Sequence, residues 1–312
     1  MNESTKKEES GIAMRCASRE TGSFARRLTL RDGPGDGRRL IAVKCGKLFL
    51  TLTEDAALDI STLSYAGENI GFLSKNGIGD KDKPFPNLFP GGMLYTCGPD
   101  SVGDREGHPT HGRLHNIAAA VELLRVNGDG SVEIEGTVRD TALFGQDLCL
   151  RRKITVSPEK VFVEDILTNE GFRPEEICLL YHLNVGWPFL APDTRIEAEV
   201  KESIPRTPFA AEEIAKWQTM ETPDDEIDEQ VFYHKTANGK VRLESPHTGL
   251  ALTYRFDRGR MPWFLQWKSR GSGDYALGIE PSTTRLDGDF ESRTLHPGES
   301  LRFFAELTFE TL

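Results

Sequence analysis

Three short stretches of the sequence carry side chains able to move protons. The first, His108-Pro109-Thr110-His111-Gly112-Arg113-Leu114-His115, holds three of the seven histidines. A glycine beside His111 lets the backbone pass close to a ligand. A histidine near its ordinary pKa can bind hydroxyls or shuttle protons. The same H-x-x-H-x-x-x-H spacing offers three metal donors. A zinc site wants an imposed geometry, however, and a loop broken by Pro and Gly does not supply one. A surface-loop reading suits His108 and His115 better than His111. The second stretch is Tyr181-His182-Leu183-Asn184, inside the apolar run Ile177 to Phe189. Strand alternation sets His182 and Asn184 on one face and Tyr181 and Leu183 on the other. A polar pair on such a face needs partners or a cavity. The third is Gly278-Ile279-Glu280-Pro281-Ser282-Thr283. A carboxylate at the end of an apolar strand can have a raised pKa and serve as general base. Each has a plainer reading beside it: a buried structural histidine for His182, a rim carboxylate for Glu280.

Sugar recognition would use flat apolar faces and hydrogen-bonding side chains. Trp187, Trp263 and Trp267 are three of the four tryptophans and lie in or beside expected strands. Such rings pack against sugar C–H groups, though they are also common in cores. Asp59 and Arg113 are candidates for holding hydroxyls, or pair elsewhere. No phosphate-binding glycine loop, G-x-S-x-G or H-E-x-x-H motif occurs.

The elements that must position these residues are strands. Leu48, Leu50 and Leu52 alternate with Phe49, Thr51 and Thr53, a two-residue period. A second strand begins near Leu58, with Asp59 at its start. Asn127-Gly128-Asp129-Gly130 signals a hairpin turn, Ser157-Pro158-Glu159-Lys160 another, and Asn238-Gly239 a third. Val161, Val163, Asp165 and Leu167 alternate with Phe162, Glu164 and Ile166. One short helix is expected in AAEEIAKWQTM, inside the acidic, proline-interrupted segment 205–230. Residues 71–116 read as a long packed loop, and such loops in compact domains are usually functional. Many short strands and almost no helix give an all-β sandwich or barrel.

The whole chain of 312 residues is expected to form a flexible tail over 1–12 and one large domain over 13–312. Apolar residues make up 38% and charged residues 28%, as in a soluble globular protein. A net charge of -11 disfavours nucleic acid and anionic membrane as partners. No apolar run approaches the ~20 residues of a membrane span. The N-terminus lacks the apolar core of a signal peptide. Five scattered cysteines without C-x-x-C point to a reducing cytoplasm.

Together these pieces resemble the galactose mutarotase-like (aldose 1-epimerase) superfamily, in a less characterised branch of it. The order carries the resemblance: the loop pair His111-Gly112, the strand Tyr181-His182-Leu183-Asn184, then Gly278-Ile279-Glu280-Pro281. It extends from about residue 40 to the end. The resemblance implies a large antiparallel β-sandwich with a sugar groove. It also implies substrate binding at His111, with His182 as general acid and Glu280 as general base. The expected activity is interconversion of sugar anomers by ring opening and reclosure. The chain departs from the better known members in its T-H-G-R and Y-H-L-N contexts, which leaves the sugar open. Catalytic candidates are therefore His182 and Glu280. Substrate-binding candidates are His111, Arg113, Asp59, Asn184 and Trp267. No cofactor or metal is expected, the partner is a small carbohydrate, and the assembly is a monomer or homodimer. The alternatives are acid–base chemistry on a sugar phosphate or uronic acid, and a carbohydrate-binding protein without turnover.

Overall fold

The computed structural model of the chain describes residues 17–79, 83–85, 87–226, 229–287 and 290–312. The tail expected over 1–12 lies outside them. The strands, in chain order, begin with β1 (Ser23–Thr29), β2 (Arg39–Cys45), β3 (Leu48–Thr53), β4 (Asp59–Tyr65), β5 (Glu68–Asn69) and β6 (Tyr95–Cys97). There follow β7 (Ala120–Val126), β8 (Val132–Thr141), β9 (Asp147–Ser157), β10 (Lys160–Asn169), β11 (Glu175–Ile177), β12 (Leu180–Gly186) and β13 (Arg195–Pro205). The last are β14 (Gln230–Ser245), β15 (Leu250–Phe256), β16 (Trp263–Ser269), β17 (Ala276–Ser282), β18 (Arg293–Leu295) and β19 (Ser300–Thr311).

Strands β1 to β5 form a meander in one five-stranded sheet. A twelve-stranded sheet runs β6-β12-β17-β16-β14-β15-β19-β10-β9-β8-β7, with β13 on β14. Strands β11 and β18 pair separately. Every strand ladder is antiparallel. The alternation read in the sequence is why the sheets stack: Leu48, Leu50 and Leu52 of β3 are buried, as are Val161, Val163 and Leu167 of β10. One apolar cluster joins residues of both sheets, from Ile41 and Ile60 to Ile134, Leu252 and Phe303. The all-β sandwich expected from the sequence is the fold observed.

Asp165 is the polar member of the β10 core face, and it is fully buried. Arg152 of β9 answers it, with Nε to Asp165 Oδ1 at 2.9 Å and Nη2 to Oδ2 at 2.7 Å. The same guanidinium reaches across to the smaller sheet, donating from Nη1 to Asp59 Oδ1 at 2.8 Å. It also reaches β6, donating from Nη2 to Thr96 Oγ1 at 2.9 Å. A buried charge is tolerated where geometry and hydrogen bonds satisfy it.

Two local expectations are corrected. Asn238-Gly239 is not a turn between strands but lies inside β14, where the register against β13 slips between Ala198 and Val200. Gly239, at φ 61, supplies the left-handed residue of this bulge. The helix in the acidic segment starts earlier than expected. It spans Pro208–Glu212, capped by the Thr207 side chain accepting from Ala210 N, and continues as a short 3-10 turn over Ile214–Lys216.

Candidate functional site

The register between β12 and β17 pairs Leu180 with Ser282 and Leu183 with Ile279. That register sets His182 directly opposite Glu280. The two side chains meet at 3.3 Å, His182 Nε2 to Glu280 Oε1, and both residues are buried. Cross-strand neighbours on one face are within reach by construction. Gly278 makes room for the carboxylate: a Cβ there would lie 2.1 Å from Glu280 Oε1. Glu280 does not end its strand as expected, since β17 runs on to Ser282, with Pro281 opposite Phe264 of β16.

His111 arrives from the long loop. Its backbone is left-handed (φ 65), as is that of Gly112 (φ 77). Only glycine fits at 112, because a Cβ there would sit 2.5 Å from the Gly98 carbonyl and 2.6 Å from that of Ser101. The loop is tied to the end of β6: Gly98 N donates to His111 O, and Gly98 O accepts from Arg113 N and Leu114 N. His111 Nδ1 donates to Val102 O at 2.9 Å, which leaves Nε2 as its free ring nitrogen. The His111 and His182 rings stand 5.7 Å apart, edge to face.

A cavity of about 530 Å³ opens over these groups, lined among others by His111, His182, Glu280, Trp267, Phe89 and Glu229. Its wall is aromatic around His182. The Phe89 ring centroid is 5.5 Å from that of His182, and the Trp267 centroid 5.7 Å. Trp267 Nε1 donates to Glu229 Oε2 at 2.8 Å. Burial acts on both titratable groups in the direction of neutrality. It lowers the His182 pKa well below the ordinary value, helped by nearby His111, and raises the Glu280 carboxyl well above its own, helped by Glu229. His111 is lowered in the same way by burial.

Of the sequence candidates, His111, His182, Glu280 and Trp267 converge on this cavity. Three do not line it. Asp59 is spent beneath the site, on Thr96 N, Thr96 Oγ1 and Arg152. Arg113 is clamped by Asp100 and Asp140, with Nη1 and Nη2 each at 2.6 Å from a carboxylate. Asn184 donates to the carbonyls of Gly92 and His182. Trp187 is exposed and packs on His247, and Trp263 donates to Glu291. The three loop histidines part company: His108 bonds Asp100, and His115 stacks on Tyr95 at 4.5 Å. Among the described residues, no three His, Cys, Asp or Glu side chains are grouped to hold a metal.

Sequence reasoning passed over Phe85, Phe89 and Arg206, which also line the cavity. A single aromatic in a Pro-rich loop has no period to betray it. Phe89 is nonetheless held firmly, its carbonyl accepting from Ser74 Oγ at 2.6 Å and Asn76 Nδ2 at 2.9 Å.

Residues 35–307 match a family described as a domain of unknown function, DUF4432. The chain belongs to the DUF4432 family. No curated protein matches its sequence. Among solved structures, this DUF4432 chain is similar to a candidate aldose 1-epimerase from Klebsiella pneumoniae (TM-score 0.84, 20% identity, 93% of this chain and 88% of that one). It is also similar to a galactose mutarotase-like protein from Clostridium acetobutylicum (0.68, 15%, 94% and 100%). A candidate mutarotase from Salmonella typhimurium aligns too (0.68, 12%, 92% and 94%). The DUF4432 chain thus has the galactose mutarotase-like fold. No helix among the described residues is long and apolar enough to cross a membrane.

Proposed function

We propose that the protein interconverts the anomers of a free aldose. The observation that carries this reading is the buried His182–Glu280 pair, 3.3 Å apart on the floor of an open cavity. Anomer exchange needs a base at the anomeric hydroxyl and an acid at the ring oxygen, and the pair supplies one of each. Glu280 takes the anomeric proton, His182 gives a proton to the ring oxygen, and the C1–O5 bond breaks. Rotation about C1–C2 and the reverse proton transfers close the ring as the other anomer. Opening leaves Glu280 protonated and His182 neutral, which is the state that burial favours for both. The reacting form is the pair of Glu280 carboxylate and His182 imidazolium, one proton shift between Oε1 and Nε2 from the neutral pair; opening discharges it, so no net charge is created in the buried site.

His111 Nε2 would hold a sugar hydroxyl, and Trp267, fixed by Glu229, would stack on the ring. The cations at the cavity do not favour a phosphate or uronate. Arg206 already pairs with Asp287 at 2.7 Å and Lys75 with Asp274 at 2.7 Å.

The test is NMR magnetisation transfer between anomers on a panel of aldoses, with Glu280→Gln as control. Enzyme-dependent exchange is expected to fall about 10²- to 10⁴-fold in the variant while sugar binding persists. Exchange undiminished by the substitution removes Glu280 from the base role. Binding without any exchange in the wild type would make this a carbohydrate-binding protein instead.

A further inference from the structure

We infer that the substrate is an aldopyranose whose C5 carries hydrogen or methyl rather than a hydroxymethyl or phosphorylated arm, that is, a pentose or a 6-deoxyhexose. The inference rests on the anomer-exchange reading, and specifically on His182 serving the ring oxygen. In a pyranose the ring oxygen is bonded to C5, and the C5 substituent is one bond further on. A group that close to the atom His182 protonates must fall among the side chains packed around His182.

Apart from Glu280 and His111, those side chains are aromatic. Phe89 and Trp267 flank the imidazole at 5.5 and 5.7 Å and meet each other at 6.4 Å with their planes at 84°. Phe85 extends the wall, 5.7 Å from Phe89 and 5.0 Å from His111. Three polar side chains of the cavity are tied to Phe89 and Trp267. Ser74 and Asn76 both donate to the Phe89 carbonyl, and Glu229 accepts from Trp267. A methyl group in the corner gains apolar contact. A hydroxyl there meets aromatic rings on both sides of the imidazole and gives up water for them.

A phosphate would meet a harsher wall. Asp104, Glu229 and Asp274 line the same cavity, and the two cations among its described lining residues, Lys75 and Arg206, already have carboxylate partners. Apolar pockets discriminate modestly against one added hydroxyl, so the expected preference is about 10- to 100-fold.

Three sugar pairs differ only at C5: D-fucose with D-galactose, L-rhamnose with L-mannose, and D-xylose with D-glucose. Binding constants and anomer exchange rates are measured for all six on the wild-type protein, with galactose 6-phosphate added. In the series that binds best, the deoxy or pentose member should bind about 10- to 100-fold tighter than its hydroxymethyl partner. Phe89→Leu should keep most of that preference and Phe89→Ser should lose most of it, with melting curves confirming that both variants fold. Equal or tighter binding of the hydroxymethyl member overturns the inference, as does failure of all six sugars to bind. Exchange that ignores the C5 substituent defeats the inference and leaves the mutarotase reading standing. A clear C5 preference in binding with no exchange on any sugar defeats the mutarotase reading instead.

Discussion

A methyl group on residue 278 would sit 2.1 Å from Glu280 Oε1 and 3.0 Å from the Trp267 Cβ. Gly278→Ala therefore forces the carboxylate out of its place while leaving the reacting side chains chemically unchanged. Misplacement by about 1 Å costs about 10² in rate, so anomer exchange should drop about 100-fold in a protein that still melts cooperatively. Exchange at the wild-type rate would show that the carboxylate position is not limiting. The G-x-E-P spelling thus has a physical cause in its first residue as well as its third. Much of the cavity floor was legible at this scale. Glu280 and His182 stood out because a charged or polar residue inside an apolar run demands a reason. His111 stood out beside its glycine. Asp59, Arg113 and Asn184 were misplaced for the converse reason: a sequence shows that a polar group exists, not which partner consumes it. Asp59 is consumed by Arg152, 93 positions away.

The acidic segment between β13 and β14 reads in sequence as a solvated excursion, and only its ends betray a purpose. Arg206 at its start and Glu229 at its end both line the cavity. Between them Glu221 acts as the anchor. Its Oε2 accepts from Lys268 Nζ at 2.9 Å and Arg270 Nη1 at 3.1 Å, and its carbonyl accepts from the Tyr275 hydroxyl at 2.8 Å. Lys268 is buried, and burial lowers its pKa against the pull of Glu221. Glu221→Ala would leave Lys268 and Arg270 together without a carboxylate. Breaking a buried pair costs about 3 kcal/mol or more, so the urea midpoint should fall measurably. The loosened segment should also raise KM for the sugar more than it lowers kcat. Glu221→Gln, which keeps hydrogen-bond acceptors, should do less of both. A KM unchanged in a destabilised Glu221→Ala protein would mean that the segment does not shape the cavity. The strands themselves were readable from their two-residue period. The β14 bulge was not, because Asn-Gly signals a left-handed residue equally well in a turn and in a bulge.

At the scale of the molecule, the interior holds polar groups that must stay neutral or stay paired. Arg152 is the paired case. Replacing it with Met would bury the Asp59 and Asp165 carboxylates without their cation, at a cost of about 3–5 kcal/mol. Urea unfolding of Arg152→Met should show that loss, and near-wild-type stability would mean that the two sheets do not depend on the guanidinium. The neutral case is the buried histidines. Burial lowers the His115 pKa to about 3 and the His234 pKa to about 4. Both values lie below the ordinary value near 6.5 that the unfolded chain regains. Between the two values the unfolded state binds a proton that the folded state refuses, so stability rises with pH there. The stabilisation is fully present above about pH 6.5 and is lost as the pH falls toward about 4. His234 offers the cleaner test, because its ring nitrogens meet only the neutral Ser203 hydroxyl and Gln266 amide oxygen, at 2.8 and 3.0 Å. A glutamine there cannot titrate. Whatever His234→Gln does to stability at neutral pH, the further loss between about pH 7 and about pH 5 should be smaller than in the wild type by about 2 kcal/mol. Urea titrations of both proteins at the two pH values give that difference directly. Equal losses would mean that His234 takes up its proton in the folded state as readily as in the unfolded one.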